Sequence, residues 1–182
     1  MTDKITLHGR AFKKMIDASE IDAAVSKVAE QLNEKFRDME ESPLVLGILN
    51  GSFMFMSDLV KKFDFDAELS FLKLSSYEGT ESVGKVKSLI GLNNSIEGRH
   101  VVVVEDIVDS GTTIRHIDND LKARNPASVS YCTLFFKPGN YTETINIDFK
   151  AMDIGNEFIV GYGLDFDYLG RTYKDIYVID NE

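Results

Sequence analysis

Four consecutive valines, Val101–Val104, constrain this chain more than any other stretch. A row of β-branched side chains disfavours a helix and favours a strand, and a run without polar alternation suits a strand buried on both faces. Leu44–Leu49, Glu68–Leu74 and Val129–Phe136 read as further strands. Between them lie helical patterns. Ile21, Val25, Val28, Leu32 and Phe36 recur at helical spacing behind Ser19 and Asp22, a pair that resembles a capping box. Phe53–Phe63 can form a second helix, and Ile114, Ile117 and Leu121 mark one face of a third. Val86–Leu92, Phe158–Tyr162 and Ile176–Ile179 are also strand-like. Strands alternating with helices imply an α/β fold, a twisted parallel sheet flanked by helices. Ligands in such sheets sit beyond the carboxyl ends of strands, where strand order switches. Functional residues are therefore expected after Leu49, Leu74, Val104 and Phe136.

The chain has 182 residues and no linker-like tract or internal repeat, which favours one domain over 1–182. Acidic residues outnumber basic ones 30 to 20, giving a net charge of −10. That charge repels polyanions and argues against a nucleic-acid partner, while leaving room for a phosphorylated small molecule in a local pocket. The N-terminus, MTDKITLHGRAFKK, has no apolar core of a secretory signal. No apolar run approaches the ~20 residues of a membrane span. The one cysteine, Cys132, lies within a strand-like run and cannot form an internal disulfide. A cytoplasmic protein with no membrane partner is expected.

Chemistry concentrates directly after the valines, in Glu105-Asp106-Ile107-Val108-Asp109-Ser110-Gly111-Thr112-Thr113. Glu105 and Asp106 are adjacent carboxylates at the expected strand end, suited to accept hydrogen bonds from vicinal hydroxyls such as those of a ribose. Asp109 stands apart and is free for another task. Ser110 to Thr113 form a small hydroxyl- and glycine-rich turn opening a helix, an arrangement whose N–H groups bind a phosphate monoester. Gly111 permits close backbone approach. Three carboxylates after such a strand are hard to justify by stability alone.

This segment resembles the phosphoribosyl-diphosphate-binding signature of the type I phosphoribosyltransferases. Leu49-Asn50-Gly51-Ser52, Ser76-Tyr77, Phe135-Phe136-Lys137 and Phe158-Ile159-Val160-Gly161-Tyr162-Gly163-Leu164-Asp165 follow in that family's order. They narrow the resemblance to its 6-oxopurine branch, the hypoxanthine-guanine phosphoribosyltransferases. The resemblance implies transfer of a phosphoribosyl group from phosphoribosyl diphosphate to hypoxanthine or guanine. It assigns Glu105 and Asp106 to the ribose hydroxyls, Asp109 to acid/base catalysis at purine N7, and Asp109–Thr113 to the 5′-phosphate. Lys137 would donate to purine O6, Phe158 would stack on the base, and the Ile159 carbonyl would meet the base edge. Leu49, Asn50 and Gly51 would form the diphosphate loop, where the family often carries a non-proline cis peptide, with Arg171 as a diphosphate-binding arginine. Many members have lysine where this chain has Asn50, so any side-chain charge there is absent. Mg²⁺ is the implied cofactor, with Asp165, Glu105 and Asp106 as its protein ligands. Ser76 and Tyr77 would open a loop that closes over the reaction centre. A core of about 38–150, a hood from about 1–18 and 150–182, and a homodimer or homotetramer are also implied.

Taken singly, several of these residues have plainer readings. Lys137 could be a strand-end residue reaching solvent, Phe158 a core residue, and Asp165 part of a solvated acidic loop. Only their joint order gives them a purpose. Gly79-Thr80-Glu81-Ser82-Val83-Gly84-Lys85 matches most of a P-loop, but Val86 stands where a hydroxyl is required and a strand pattern follows. His8, His100 and His116 lack metal-ligand spacing, and the sequons at Asn93 and Asn140 have no meaning in a cytoplasmic chain. A xanthine-preferring enzyme is the neighbouring alternative, decided by how the pocket meets the purine C2 substituent. A phosphoribosyl-diphosphate-sensing, nucleic-acid-binding regulator of the same fold is the other; it needs a basic surface, and the net charge of −10 opposes it.

Overall fold

The computed structural model describes residues 3–76, 86–90 and 95–180. Its elements in chain order begin with β1 (Lys4–Leu7), β2 (Arg10–Ile16), α1 (Ala18–Phe36), β3 (Leu44–Leu49), α2 (Phe53–Val60) and β4 (Glu68–Ser76). They continue with β5 (Val86–Ile90), β6 (His100–Val108), α3 (Thr112–Lys122), β7 (Ser128–Phe136), β8 (Phe149–Asp153), β9 (Ile159–Val160) and β10 (Ile176–Ile179). The larger sheet has the order β5-β4-β3-β6-β7-β8. Strands β4, β3, β6, β7 and β8 run parallel, and β5 closes one edge antiparallel to β4. This is the α/β architecture expected from the alternation of patterns.

Strand alternation builds a core on each face. Val45, Val102, Val104, Cys132 and Leu134 pack with the apolar stripes of α1 and α2. Leu44, Leu46, Ile48, Val101, Val103 and Tyr131 pack with Ile114, Ile117 and Leu121 of α3. All four valines are at most 1% exposed, and burying each is worth roughly 2 kcal/mol. That exceeds the ~1 kcal/mol spanned by strand propensities, so two-sided burial fixes this strand more than local preference does. Gly47 lets α2 approach β3, since a Cβ there would lie 2.2 Å from Met56 Sδ and 3.1 Å from the Phe71 ring.

Two local expectations are corrected. Helix α1 starts from Asp17 and Glu20, not from Ser19 and Asp22. The Glu20 carboxylate reaches back to accept the Asp17 N–H at 3.0 Å, and the Ala18 N–H donates to Asp175 at 2.8 Å, which leaves Ser19 and Asp22 inside the helix. Strand β6 does not stop at the valines either. It continues through Glu105 and Asp106 to Val108 because β7 extends its ladder as far as Phe136.

The two ends of the chain form a second, antiparallel sheet in the order β1-β2-β10-β9. Phe12, Val160 and Tyr177 fill its own small core. It is fastened to the larger sheet through α2, where the Tyr162 hydroxyl donates to Asp58 at 2.6 Å. Among the described residues, no helix is long and apolar enough to cross a membrane.

Candidate active site

From β3 the chain moves outward to β4 and then returns to β6 on the opposite side of β3. Strand order therefore reverses between β3 and β6, and a crevice opens beyond their carboxyl ends. Two loops border it, Leu49-Asn50-Gly51 after β3 and Asp109–Thr113 after β6. The Leu49–Asn50 peptide bond is cis. Gly51 touches both neighbouring segments. A Cβ on it would stand 1.4 Å from Asp106 Oδ2, and a Cβ on Gly163 would stand 2.2 Å from the Gly51 carbonyl oxygen. Two residues without side chains thus let the β3 loop, the end of β6 and the 161–165 segment meet.

A cavity of about 270 Å³ is lined by the continuous segment from Glu105 to Ile114. Gly111 is the N-cap of α3 with φ +89°, a conformation that L side chains rarely adopt. The Ser110 and Thr112 hydroxyls are 3.1 Å apart, and both are exposed together with Thr113. The Thr112 N–H reaches the Ser110 hydroxyl at only 3.4 Å, and first-turn N–H groups, hydroxyls and the positive end of the helix dipole suit this turn to an anion. At its edge, burial and the neighbouring Asp106 hold the Glu105 carboxyl well above the usual range. Burial also pushes Asp106 up to about 6, opposed in part by the Ile107 N–H and by Arg171. Both carboxyls stand ready for partners that favour their charged form, hydroxyl donors or a cation.

Parallel register explains the next contact. Val108 pairs with Phe136, and the Lys137 N–H continues the ladder to the Val108 carbonyl at 3.0 Å. Asp109 and Lys137 therefore leave adjacent strands side by side. The Lys137 ammonium donates to Asp109 Oδ2 at 3.0 Å, although Lys137 is only 6% exposed. Asn140 Nδ2 donates to Asp109 Oδ1 at 2.8 Å. Burial acts to raise the Asp109 pKa, but the Asn140 and Lys137 hydrogen bonds and the lysine charge together hold it below the usual carboxylate range. Asn140 was not among the expected site residues. Lys137-Pro138-Gly139-Asn140 is a proline-glycine turn whose first and fourth residues converge, and that spacing is the signal by which it could have been found.

Asp165 and Arg171 form a third group. Arg171 donates to Asp165 Oδ1 at 2.5 Å and to the Gly163 carbonyl at 2.6 Å, and the Tyr168 N–H donates to Asp165 Oδ2 at 2.9 Å. Asp106 feels the charges of both Arg171 and Asp165, so this group adjoins the Gly51 contact. Phe158 is 46% exposed, with ring contacts to Phe12 at 6.5 Å and Phe166 at 5.7 Å. Ile159 is buried beside it and pairs with Val178. Phe158 thus meets rings on the terminal-sheet side, while Ile159 also packs into the core shared with α1 and α2. The backbone of Ser76 ends β4, while its side chain, Tyr77 and the Gly79–Lys85 stretch lie outside the described residues.

Among the described residues, no group of three or more His, Cys, Asp or Glu side chains converges as a metal cage. Glu105, Asp106 and Asp165 therefore do not form a joint three-carboxylate site by themselves. Mg²⁺ does not need one: it is commonly held through one or two carboxylates, water and substrate phosphates. Hard carboxylate oxygens beside an anion-binding turn fit an ion that arrives with a phosphorylated ligand.

A family model described as phosphoribosyl transferase domain matches residues 14–167. A hypoxanthine phosphoribosyltransferase of Buchnera aphidicola is 39% identical over 155 residues, covering 85% of this chain and 88% of its own. A hypoxanthine-guanine phosphoribosyltransferase of Streptococcus pyogenes is 36% identical over 173 residues, covering 91% of this chain and 95% of its own. The crystal structure of a hypoxanthine phosphoribosyltransferase from Staphylococcus aureus superposes with a TM-score of 0.85 at 34% identity, covering 92% of this chain and 91% of that one.

Proposed function

The chain belongs to the phosphoribosyl transferase family, and from that premise we propose that it is a purine salvage enzyme. It transfers the 5-phosphoribosyl group of phosphoribosyl diphosphate to hypoxanthine or guanine, giving IMP or GMP and diphosphate. The observation that carries the reading is the pairing of Asp109 with Lys137 at 3.0 Å, directly beside the anion-binding turn of α3. A phosphate site alone serves many ligands. A carboxylate and a buried ammonium at its border add a proton acceptor and a donor for a neutral heterocycle.

In this reading the Asp109–Thr113 turn wraps the 5′-phosphate, and Glu105 and Asp106 accept from the ribose hydroxyls. Leu49, Asn50, Gly51 and Arg171 hold the diphosphate. Phe158 stacks on the purine, the Ile159 carbonyl meets its edge, and Lys137 leaves Asp109 to donate to O6. A purine nitrogen forms the bond to ribose C1 while the C1–O bond breaks, its electron pair leaving with diphosphate. The proton displaced from the imidazole ring passes to Asp109. Ser76 and Tyr77 begin a loop that excludes water from the oxocarbenium-like transition state. Asp165, with Glu105 and Asp106, would hold Mg²⁺ together with the substrate, and the ion would supply positive charge to offset that of the leaving diphosphate.

We also infer a homodimer or homotetramer built on one apolar surface. Phe53, Leu69 and Phe71 are 55%, 49% and 36% exposed. Leu69 and Phe71 share a face of β4, and Phe71 and Met56 close over Gly47 from β4 and α2. The buried free thiol of Cys132 suits a cytoplasmic setting. Nucleotide formation tests the reaction, with phosphoribosyl diphosphate and hypoxanthine, guanine, xanthine or adenine in parallel, with and without Mg²⁺. Mg²⁺-dependent turnover of hypoxanthine or guanine without adenine is expected. Binding of phosphoribosyl diphosphate with no turnover of any base would overturn it in favour of a sensor.

A further inference from the structure

We propose that Asn140 is a positioning residue for Asp109, holding one carboxylate oxygen so that the other faces the purine for proton exchange. The inference rests on the reading of Asp109 as the acid/base group. The two oxygens are served by unlike donors, Oδ1 by the Asn140 amide at 2.8 Å and Oδ2 by the Lys137 ammonium at 3.0 Å. When Lys137 turns to the purine O6, Oδ2 loses its donor and becomes the proton acceptor. Asn140 is neutral and keeps its bond to Oδ1 whether Asp109 is ionised or carries the proton on Oδ2. Without it, a carboxylate on a loop would have no fixed orientation at the step that matters.

Asn140 is itself held in place. Its N–H and that of Tyr141 both donate to the Lys137 carbonyl, at 3.1 and 3.2 Å, closing the turn. The residues that follow strap down the same loop that carries Asp109. The Thr142 N–H and hydroxyl both donate to the Ser110 carbonyl at 3.3 Å. Glu143 pairs with Arg115 at 3.2 Å. Tyr141 and Glu143 close over Gly111 so tightly that a Cβ there would lie 2.6 and 2.7 Å from them. Asn140 thus engages Asp109, Tyr141 covers Gly111, Thr142 bonds Ser110 and Glu143 pairs with Arg115.

The charged group facing Asp109 is Lys137 from the end of β7. The strap's acid, Glu143, is paired with Arg115, and Ser110–Thr113 carry no charge. Loss of the Asn140 hydrogen bond removes one of the contacts that keep the Asp109 pKa low, so the acid limb of the rate profile moves upward.

The test compares wild type, Asn140→Ala and the isosteric Asn140→Asp for folding, steady-state kinetics and the Asp109 carboxyl titration followed by NMR in the free protein. Asn140→Ala is expected to lower kcat about tenfold, with KM for phosphoribosyl diphosphate within about twofold and an upward shift in both the acid limb and the titration. Asn140→Asp is expected to fare worse, because a like charge beside Asp109 raises its pKa further. Unchanged titration and acid limb, or a loss equal in both variants, would overturn the proposal while wild-type turnover stands. A wild type that forms no nucleotide would overturn the reaction itself, and this inference with it.

Discussion

Gly51 and Asp106 share one contact that leaves no room for a side chain, since a Cβ at Gly51 would stand 1.4 Å from Asp106 Oδ2. Asp106 cannot simply swing away. Its Oδ1 accepts the Ile107 N–H at 2.8 Å, and Gly163 closes the far side of Gly51. Gly51→Ala is expected to cost about 1–3 kcal/mol through overpacking and to raise KM for phosphoribosyl diphosphate. Urea unfolding and initial-rate kinetics check both. An alanine variant with unchanged stability and KM would show that the contact relaxes freely.

Sequence patterns revealed most of what positions this site. Val101–Val104, Leu44–Leu49 and Val129–Phe136 are strands because apolar continuity reports burial on two faces, and that is what the sheet provides. The residues after them fall at the switch in strand order. The helix start at Asp17 is a local signal, because Glu20 completes a capping box behind Asp17 in a way that Asp22 does not behind Ser19, and the tertiary contact from Asp175 adds to it. The extension of β6 through two charged residues was hidden, since it depends on the ladder supplied by β7. Pairings across the fold, such as Gly51 with Asp106 or Asn140 with Asp109, depend on register and turn geometry that local periodicity does not encode.

Asp109→Asn removes the proton acceptor while preserving shape. It is expected to lower kcat by about 10²–10⁴ with KM for phosphoribosyl diphosphate nearly unchanged. Because its contacts with Asn140 and Lys137 hold the Asp109 pKa below the usual carboxylate range, the base of the free enzyme stays ionised as the pH falls through that range. The acid limb of kcat/KM due to Asp109 is therefore expected below the range of an ordinary carboxylate. An equal loss in kcat and in phosphoribosyl diphosphate affinity would point to a binding role instead.

Lys137→Ala tests base selection. Lys137 is buried, so its ammonium serves a fixed partner rather than solvent. Purine O6 can accept from it, whereas a 6-amino group cannot. Truncation is expected to lower kcat/KM for hypoxanthine by roughly 10–100-fold and to narrow the gap to adenine. The ratio of the two kcat/KM values is the measurement, and an unchanged ratio removes Lys137 from the base site.

Phe53→Glu probes the apolar surface shared by α2 and β4. Phe53 is 55% exposed, so a charge there costs the isolated protomer less than at Phe71, which packs over Gly47, while an interface of standard size, about 1,600 Å², would not tolerate it. Sedimentation velocity is expected to give a dimer or tetramer for wild type and a monomer for the variant, with far-UV circular dichroism unchanged. Identical sedimentation of the two proteins would assign assembly to another surface.

Asp165 is engaged on both oxygens, by Arg171 on Oδ1 and by the Tyr168 N–H on Oδ2. A carboxylate has about four lone-pair sites, so it can keep these contacts and still ligate a hard cation. Chelation of Mg²⁺ is expected to abolish turnover, and Asp165→Ala to raise the half-saturating Mg²⁺ concentration at least about tenfold. The competing role is purely steric, with Asp165 aiming Arg171 at the diphosphate. That role predicts a higher KM for phosphoribosyl diphosphate at every Mg²⁺ concentration and an unmoved Mg²⁺ midpoint. Titrating Mg²⁺ at saturating substrate separates the two, because Arg171→Ala should reproduce the second pattern and not the first.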